Sequence, residues 1–241
     1  MRNKKNVWLN NHKEFAQNRI DSRQYILLPE IAKIIHDLKA SNIFDYGCGE
    51  GYLSKHLINK RINLSLYDIN TEMTKLAESN AVENKIKSIS IYNSENKFLK
   101  NSFDCVVLSL VLMTIENEKE YMSVLENCKK ILKNSGKLII GLTHPCFRQS
   151  LFSTHHTNYT LGTEFDYFNN KFPFDVYLRT SKSERSIHFK DFHYNLTYTF
   201  ATLKVAGFIV EDLIELKDCS IENSYYNKFL SPYIILTCIQ K

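Results

Sequence analysis

The chain has 241 residues, a formal charge of +5, 44% apolar and 24% charged residues. That length suits one large α/β domain with a sizeable core, and the composition is ordinary for a soluble globular protein. The cationic residues fall in singles and pairs, not in the stripe that nucleic acid selects, and no apolar run reaches the roughly 18 residues of a membrane span. Six cysteines without a C-x-x-C pair argue against a disulfide framework. The N-terminal MRNKKNVWLNNHKEF lacks the apolar core of a signal peptide, so a cytoplasmic location is expected.

Residues 7–40 read as helical, with Ile26, Leu27, Ile31, Ile34, Ile35 and Leu38 at helical spacing. A short strand, Asn42 to Asp45, stops at Gly47. A helical pattern over 51–59 precedes a second strand, Ile62 to Tyr67, which ends at Asp68. The next helix runs from Glu72 to Ala81 with Asn70 or Thr71 as its N-cap. Strands are expected at 87–92 and from Phe103 to Leu110, the latter continuously apolar as in a strand buried on both faces. A helix over 117–133 and a strand from Lys137 to Gly141 follow. After an interruption, the pattern returns as a helix over 195–205 and strands from Phe208 to Ile214 and Tyr233 to Ile239. The alternation predicts a Rossmann-like, doubly wound, seven-stranded, mostly parallel sheet in a single domain, 1–241. Residues 1–40 are expected to form a helical cap. Residues 145–192 have no helical period and hold over a third of the aromatic residues in about a fifth of the chain, which reads as a lid inserted after strand five.

The strongest local signal is Asp45-Tyr-Gly47-Cys-Gly49-Glu-Gly51, between a strand and a helix. Glycines at Gly47, Gly49 and Gly51 allow a tight turn and let a ligand rest on bare main chain. Asp68 ends the next strand, where a carboxylate can accept both hydroxyls of a ribose. Dinucleotide folds favour G-x-G-x-x-G against a pyrophosphate. Here the spacing is G-x-G-x-G behind an acidic residue, which suits a cationic, phosphate-free cofactor such as S-adenosylmethionine.

These elements resemble the class I S-adenosylmethionine-dependent methyltransferases. DYGCGEG is similar to the first motif of that family and YDIN, around Asp68, to the second. Asn93-Ser94 stands where the family often has Asp-Ala against adenine, and Ser102 to Leu108 and Leu132 to Ile140 resemble its fourth and fifth elements. The resemblance implies S-adenosylmethionine as cofactor, S-adenosylhomocysteine as product, and cofactor contacts from Asp45, Gly47, Gly49, Gly51, Asp68, Ile69, Asn93, Ser94 and Ser109. Asn93 departs from the usual Asp, but its amide oxygen can still accept from the adenine amino group. Thr143-His-Pro-Cys-Phe147 after strand five, with Phe192-His-Tyr194 further on, resembles a subgroup acting on small molecules.

Tyr25 could close its ring over the sulfonium. Methyl transfer needs alignment and desolvation, and needs a base only if the acceptor arrives protonated. His144 and His193 are the candidates for acceptor contact or general base; no local spacing supplies metal ligands. The expected reaction is transfer to O or N of a small-molecule metabolite by a monomer or homodimer, with neither nucleic acid nor membrane as partner. A tRNA or protein methyltransferase, a non-catalytic S-adenosylmethionine-binding protein and an NAD-dependent reductase are the competing readings.

Overall fold

The computed structural model describes residues 22–57, 61–150, 155–158, 164–178, 187–218 and 230–241. A π-helical turn, Arg23–Leu27, leads into α1 (Leu28–Asp37). Strand β1 (Asn42–Tyr46) is followed by a 3-10 helix, Tyr52–His56, then by β2 (Asn63–Tyr67), α2 (Thr71–Glu83) and β3 (Ser88–Tyr92). Next come β4 (Phe103–Ser109), α3 (Glu118–Ile131) and β5 (Leu132–Thr143). Among its described residues the insertion holds three short strands: β6 (His155–Asn158), β7 (Pro173–Leu178) and β8 (Ile187–Phe192). Helix α4 (Leu196–Val205) and strands β9 (Phe208–Leu216) and β10 (Tyr233–Gln240) complete the order.

Among the described residues the main sheet has seven strands in the order β3-β2-β1-β4-β5-β10-β9. Strands β1 to β5 are parallel, and β10 runs antiparallel to both β5 and β9. The expected doubly wound sheet is therefore present. The insertion forms a separate antiparallel sheet, β6-β7-β8, where the sequence shows rings but no strand alternation. Its hydrophobic pattern is hard to read because Phe172, Phe174 and Val176 pack into a small cluster of their own with Phe165 and Phe189.

Continuous apolar runs reflect burial on both faces. In β1, Phe44 and Tyr46 join one core cluster while Ile43 joins the other. In β4, Val106 and Leu108 face the first, and Cys105 and Val107 the second. The same alternation holds in β5 and β10. Helices α3 and α4 cover the first face with Tyr121, Leu125 and Leu203; α1 and α2 cover the second with Ile31, Ile35 and Ala77.

Two local details differ from the sequence pattern. The segment after Gly51 makes only a 3-10 helix, Tyr52–His56, within the described residues. Strand β5 starts directly at the end of α3, and its register with β4 shifts between Phe103 and Cys105, so Asn134-Ser-Gly136 is an irregularity within the strand. Elsewhere local chemistry behaves as expected: Asn70 Oδ1 accepts the Glu72 N–H at 3.0 Å and caps α2.

The turn after β1 is demanding. Gly51 has φ +71°, and a Cβ there would lie 2.7 Å from the Cα and the Cβ of Ala77 in α2. Beside it, Asp45 is buried in β1 on the face shared with Ile43. Burial pushes its carboxyl up to about 7; nearby Arg23 pulls it down and Asp68 pushes it further up. The unfolded chain ionises Asp45 near 4, so the fold loses stability as pH rises from there through about 7. Asp191, raised to about 6 by burial, acts in the same sense. Gly51→Ala should cost about 2–4 kcal/mol in urea denaturation, from left-handed strain plus overpacking. Asp45→Asn should lose less stability than the natural chain between pH 5 and 8, by on the order of 1 kcal/mol in urea denaturation.

Candidate active site

The glycine loop sits at the carboxyl end of β1 with three left-handed residues, Gly47 (φ +74°), Gly49 (φ +52°) and Gly51 (φ +71°). Its backbone is tied to the adjacent strand: the Gly47 and Cys48 N–H groups both donate to the Tyr67 carbonyl, at 2.7 and 2.9 Å. From the other side, Asn80 Nδ2 of α2 donates to the Glu50 carbonyl at 2.6 Å and Ser54 Oγ to that of Gly51 at 2.7 Å.

Asp68 closes the loop. Its Oδ2 accepts the Gly49 N–H at 2.9 Å and its Oδ1 accepts the Asn70 N–H at 2.8 Å. Burial raises its carboxyl above the usual range, against the pull of those two bonds. Each oxygen retains lone-pair capacity for a further donor.

Tyr25 aside, the expected cofactor residues divide into three groups. Asp45, the three glycines and Asp68 form one continuous unit. Ser109 ends β4, which pairs with β1 through Asp45 and Val107, and its buried Oγ has no hydrogen-bond partner among the described residues. Leu110, next to it, adopts φ +58°, unusual for a branched side chain. Ile69 (56% exposed), Asn93 and Ser94 lie at the ends of β2 and β3 on the same sheet edge. Tyr25 stands apart: its ring is 73% exposed. The side chain that does reach the loop from that helical turn is Arg23, whose Nη2 donates to Glu50 Oε2 at 3.2 Å.

Arg23 and Glu50 were not singled out by the sequence. Glu50 is 1% exposed, and its Oε1 has no partner among the described residues. The one available signal was its place inside the glycine loop, where a long acidic side chain must either reach solvent or find a cation.

This geometry fits S-adenosylmethionine. Above Gly49 a Cβ would meet no atom nearer than Arg23 Nη1 at 4.0 Å, so the loop presents bare backbone to open space. The unpartnered Glu50 Oε1 and the Asp68 carboxylate near it make an anionic surround suited to a cation.

A second group of side chains lies beyond β5. His144 is 5% exposed; its Nδ1 accepts the Cys146 N–H at 3.2 Å and its Nε2 lies 2.7 Å from Glu215 Oε1 on β9. Both nitrogens are engaged, so the residue expected as a base instead caps the turn Pro145–Phe147. His193 differs. It is 1% exposed, its Nε2 meets the Tyr167 carbonyl at 2.9 Å, and its Nδ1 has no partner among the described residues. Burial, aided by the nearby Arg148 charge, brings its pKa down to about 4 despite the Tyr167 bond.

Arg148 and Asp191, also missed by the sequence reading, form a buried ion pair at 3.4 Å that joins the turn after β5 to β8. Arg148 also donates to Thr143 Oγ1 and lies 4.7 Å from the Phe174 ring centroid. His193, Arg148, Thr143, Leu112, Met113, Leu142 and Tyr194 line a crevice next to the ends of β4 and β5.

Comparison with known proteins covers the stretch that holds the glycine loop. Residues 44–140 match a family model described as a methyltransferase domain. A ribosomal RNA small subunit methyltransferase C of Buchnera aphidicola is 30% identical over 158 residues, covering 61% of this chain and 46% of that protein. A ubiquinone biosynthesis O-methyltransferase of Actinobacillus pleuropneumoniae is 25% identical over 118 residues, 47% of this chain and 50% of the relative. The chain spans about half the length of the curated relatives it matches. The crystal structure of an S-adenosylmethionine-dependent methyltransferase from Clostridium acetobutylicum superposes with a TM-score of 0.62 at 16% identity, covering 98% of both chains. Sheet order, glycine loop and domain match agree: residues 44–140 match a methyltransferase domain, and the chain has the class I fold of the Clostridium structure.

Proposed function

We propose that the protein transfers a methyl group from S-adenosylmethionine to an oxygen or nitrogen of a small-molecule acceptor. The observation that carries this reading is the left-handed glycine loop, open above Gly49 and bonded through the Gly49 N–H to Asp68. Asp68 would accept the ribose hydroxyls, with Ile69, Asn93 and Ser94 toward the base. Asp45, Glu50 and Ser109 would face the amino-acid end, and the ring of Tyr25 would come over the cofactor only after moving from its exposed position. When bound, S-adenosylmethionine supplies an electrophilic methyl group on a sulfonium that departs as a neutral thioether.

The side chains here have two tasks. The loop and Asp68 fix the donor, and the crevice beyond β5 fixes the acceptor and keeps water out. His144 holds the turn after β5 through its two bonds and serves positioning, not proton transfer. The insertion acts as a lid, tied down by Arg148 and Asp191.

The rRNA methyltransferase relative favours a second reading, RNA as acceptor. Against it stand the scattered cationic residues and the apolar run Leu108-Ser-Leu-Val-Leu-Met-Thr114 that begins at the end of β4, which offers no amide clamp for a base. Incubation with methyl-labelled cofactor should place label in a small-metabolite fraction; label in total RNA alone would establish the second reading instead. By calorimetry, Asp68→Ala should weaken S-adenosylhomocysteine binding by about 1–3 kcal/mol, with a cooperative unfolding transition retained. Unchanged affinity would remove Asp68 from the ribose site.

A further inference from the structure

Three residues adjacent to expected cofactor positions meet at one carboxylate. Tyr46 precedes Gly47 at the end of β1, Tyr67 precedes Asp68 at the end of β2, and Glu95 follows Ser94 after β3. The Tyr46 hydroxyl donates to Glu95 Oε1, and Asn127 Nδ2 of α3 donates to Glu95 Oε2 at 3.0 Å. The Tyr67 hydroxyl lies close enough that burial, and then the Glu95 charge, push it well above its usual range. The backbone joins the same point, since the Tyr67 carbonyl receives the Gly47 and Cys48 N–H groups.

The turn that Glu95 opens is anchored at its far end as well. It is a 3-10 turn, Glu95–Lys97, in which residues three apart share a side. Three positions on, Phe98 is buried and packs its ring against those of Phe44, Tyr46, Tyr67 and Tyr92, with centroids 4.9–5.7 Å apart. The Lys97 N–H donates to the Ser94 carbonyl and the Phe98 N–H to that of Glu95, both at 3.2 Å. Asn93 and Asn96 stay exposed. Packing alone does not call for a carboxylate here, because an apolar side chain would fill the space among the rings without the desolvation that a charge incurs. What the carboxylate adds is direction: donors from β1 and α3, one on each oxygen, fix how the turn faces.

We propose that Glu95 is a positioning residue for the base of the cofactor: by holding the turn after β3 against β1 and α3, it aims Asn93 and the Ser94 N–H at the edge of adenine and so selects adenine over a base with the reverse pattern. This rests on the methyltransferase reading above and assigns part of its cofactor specificity to a side chain that does not itself touch the cofactor. The adenine edge offers one donor, its amino group, and one acceptor, N1. The Asn93 amide can rotate to serve either pattern, but a backbone N–H can only donate. The fixed direction of the turn, rather than Asn93 alone, therefore decides which base fits. A base that sets its own donor against that N–H leaves both unpaired, which is where such sites gain their selectivity.

S-adenosylhomocysteine and S-inosylhomocysteine differ only at that edge, where inosine has an oxo group in place of the amine and a proton on N1. Each is titrated calorimetrically into the full-length chain. The natural chain should bind the adenosyl ligand about tenfold more tightly, and in Glu95→Ala that ratio should fall to about twofold. Glu95→Gln keeps an acceptor for Tyr46 but sets its own amide N–H groups against those of Asn127, so its ratio should lie between. Tyr46→Phe removes one hydroxyl and leaves the ring; it should narrow the ratio too, and it decides the matter if Glu95→Ala fails to fold. Equal weakening of both ligands, with the ratio kept in the folded variant, would reduce Glu95 to a structural brace and overturn the proposal. So would a natural chain that binds the two ligands equally. Failure of both ligands to bind the natural chain would instead strike the cofactor reading itself.

Discussion

The bond from the Gly49 N–H to the Asp68 carboxylate connects the two strands on which the site depends. It reaches from the loop after β1 to the end of β2, beside the pair of N–H groups that the loop donates to Tyr67. The loop is thereby closed onto the sheet by the chain's own bonds, and the space above Gly49 stays open. A preformed cradle of this kind avoids ordering a flexible loop at the moment of binding. The arrangement also explains why a buried carboxyl at Asp45 is tolerated: Arg23 and the protonation favoured by burial both reduce the cost of its charge.

Below the loop the sheet is supported on both sides, with different chemistry on each. Phe44, Tyr46, Tyr67 and Phe98 meet largely edge to face, with ring centroids 4.9–6.1 Å apart. Tyr46 donates to Glu95, which also accepts from Asn127 at 3.0 Å, so the face opposite Asp45 is braced by a polar strut within rings. At the other end of the strands, Asp104 accepts from the Ser41 and Asn42 N–H groups and pairs with Lys133 at 2.6 Å. Those donors hold its carboxyl well below the usual range, opposing the desolvation that would raise it. Strands β1, β4 and β5 are therefore tied at the edge remote from the site, which leaves the carboxyl edge free for ligands.

Much of the main sheet could be read from the residues. Apolar runs such as Phe103 to Leu108 report burial on two faces, and the loop glycines declare themselves because the chain uses only seven glycines in all. The insertion was less legible. Its strands are short and its rings serve a local cluster, so neither a helical nor an alternating period emerges. The two histidines show a second limit. His144 and His193 both flank aromatic residues near the carboxyl edge, and nothing in their spacing separates a ring with both nitrogens used from one with a spare lone pair. Arg148, Asp191 and Glu50 are buried charges and Arg23 a half-buried one, and their partners lie 27 or 43 positions away, a distance at which sequence spacing carries no information.

The Arg148–Asp191 pair also constrains how this chain can change over generations. Each partner alone would be a charge stranded in the interior, and losing one member of such a pair is typically far more harmful than replacing both with apolar residues. Drift at these positions must therefore pass through a poorly folding single mutant or take both steps together. Descendants of this sequence should keep the pair intact or lose it whole, and the ones that lose it whole should also have altered the small sheet that it anchors.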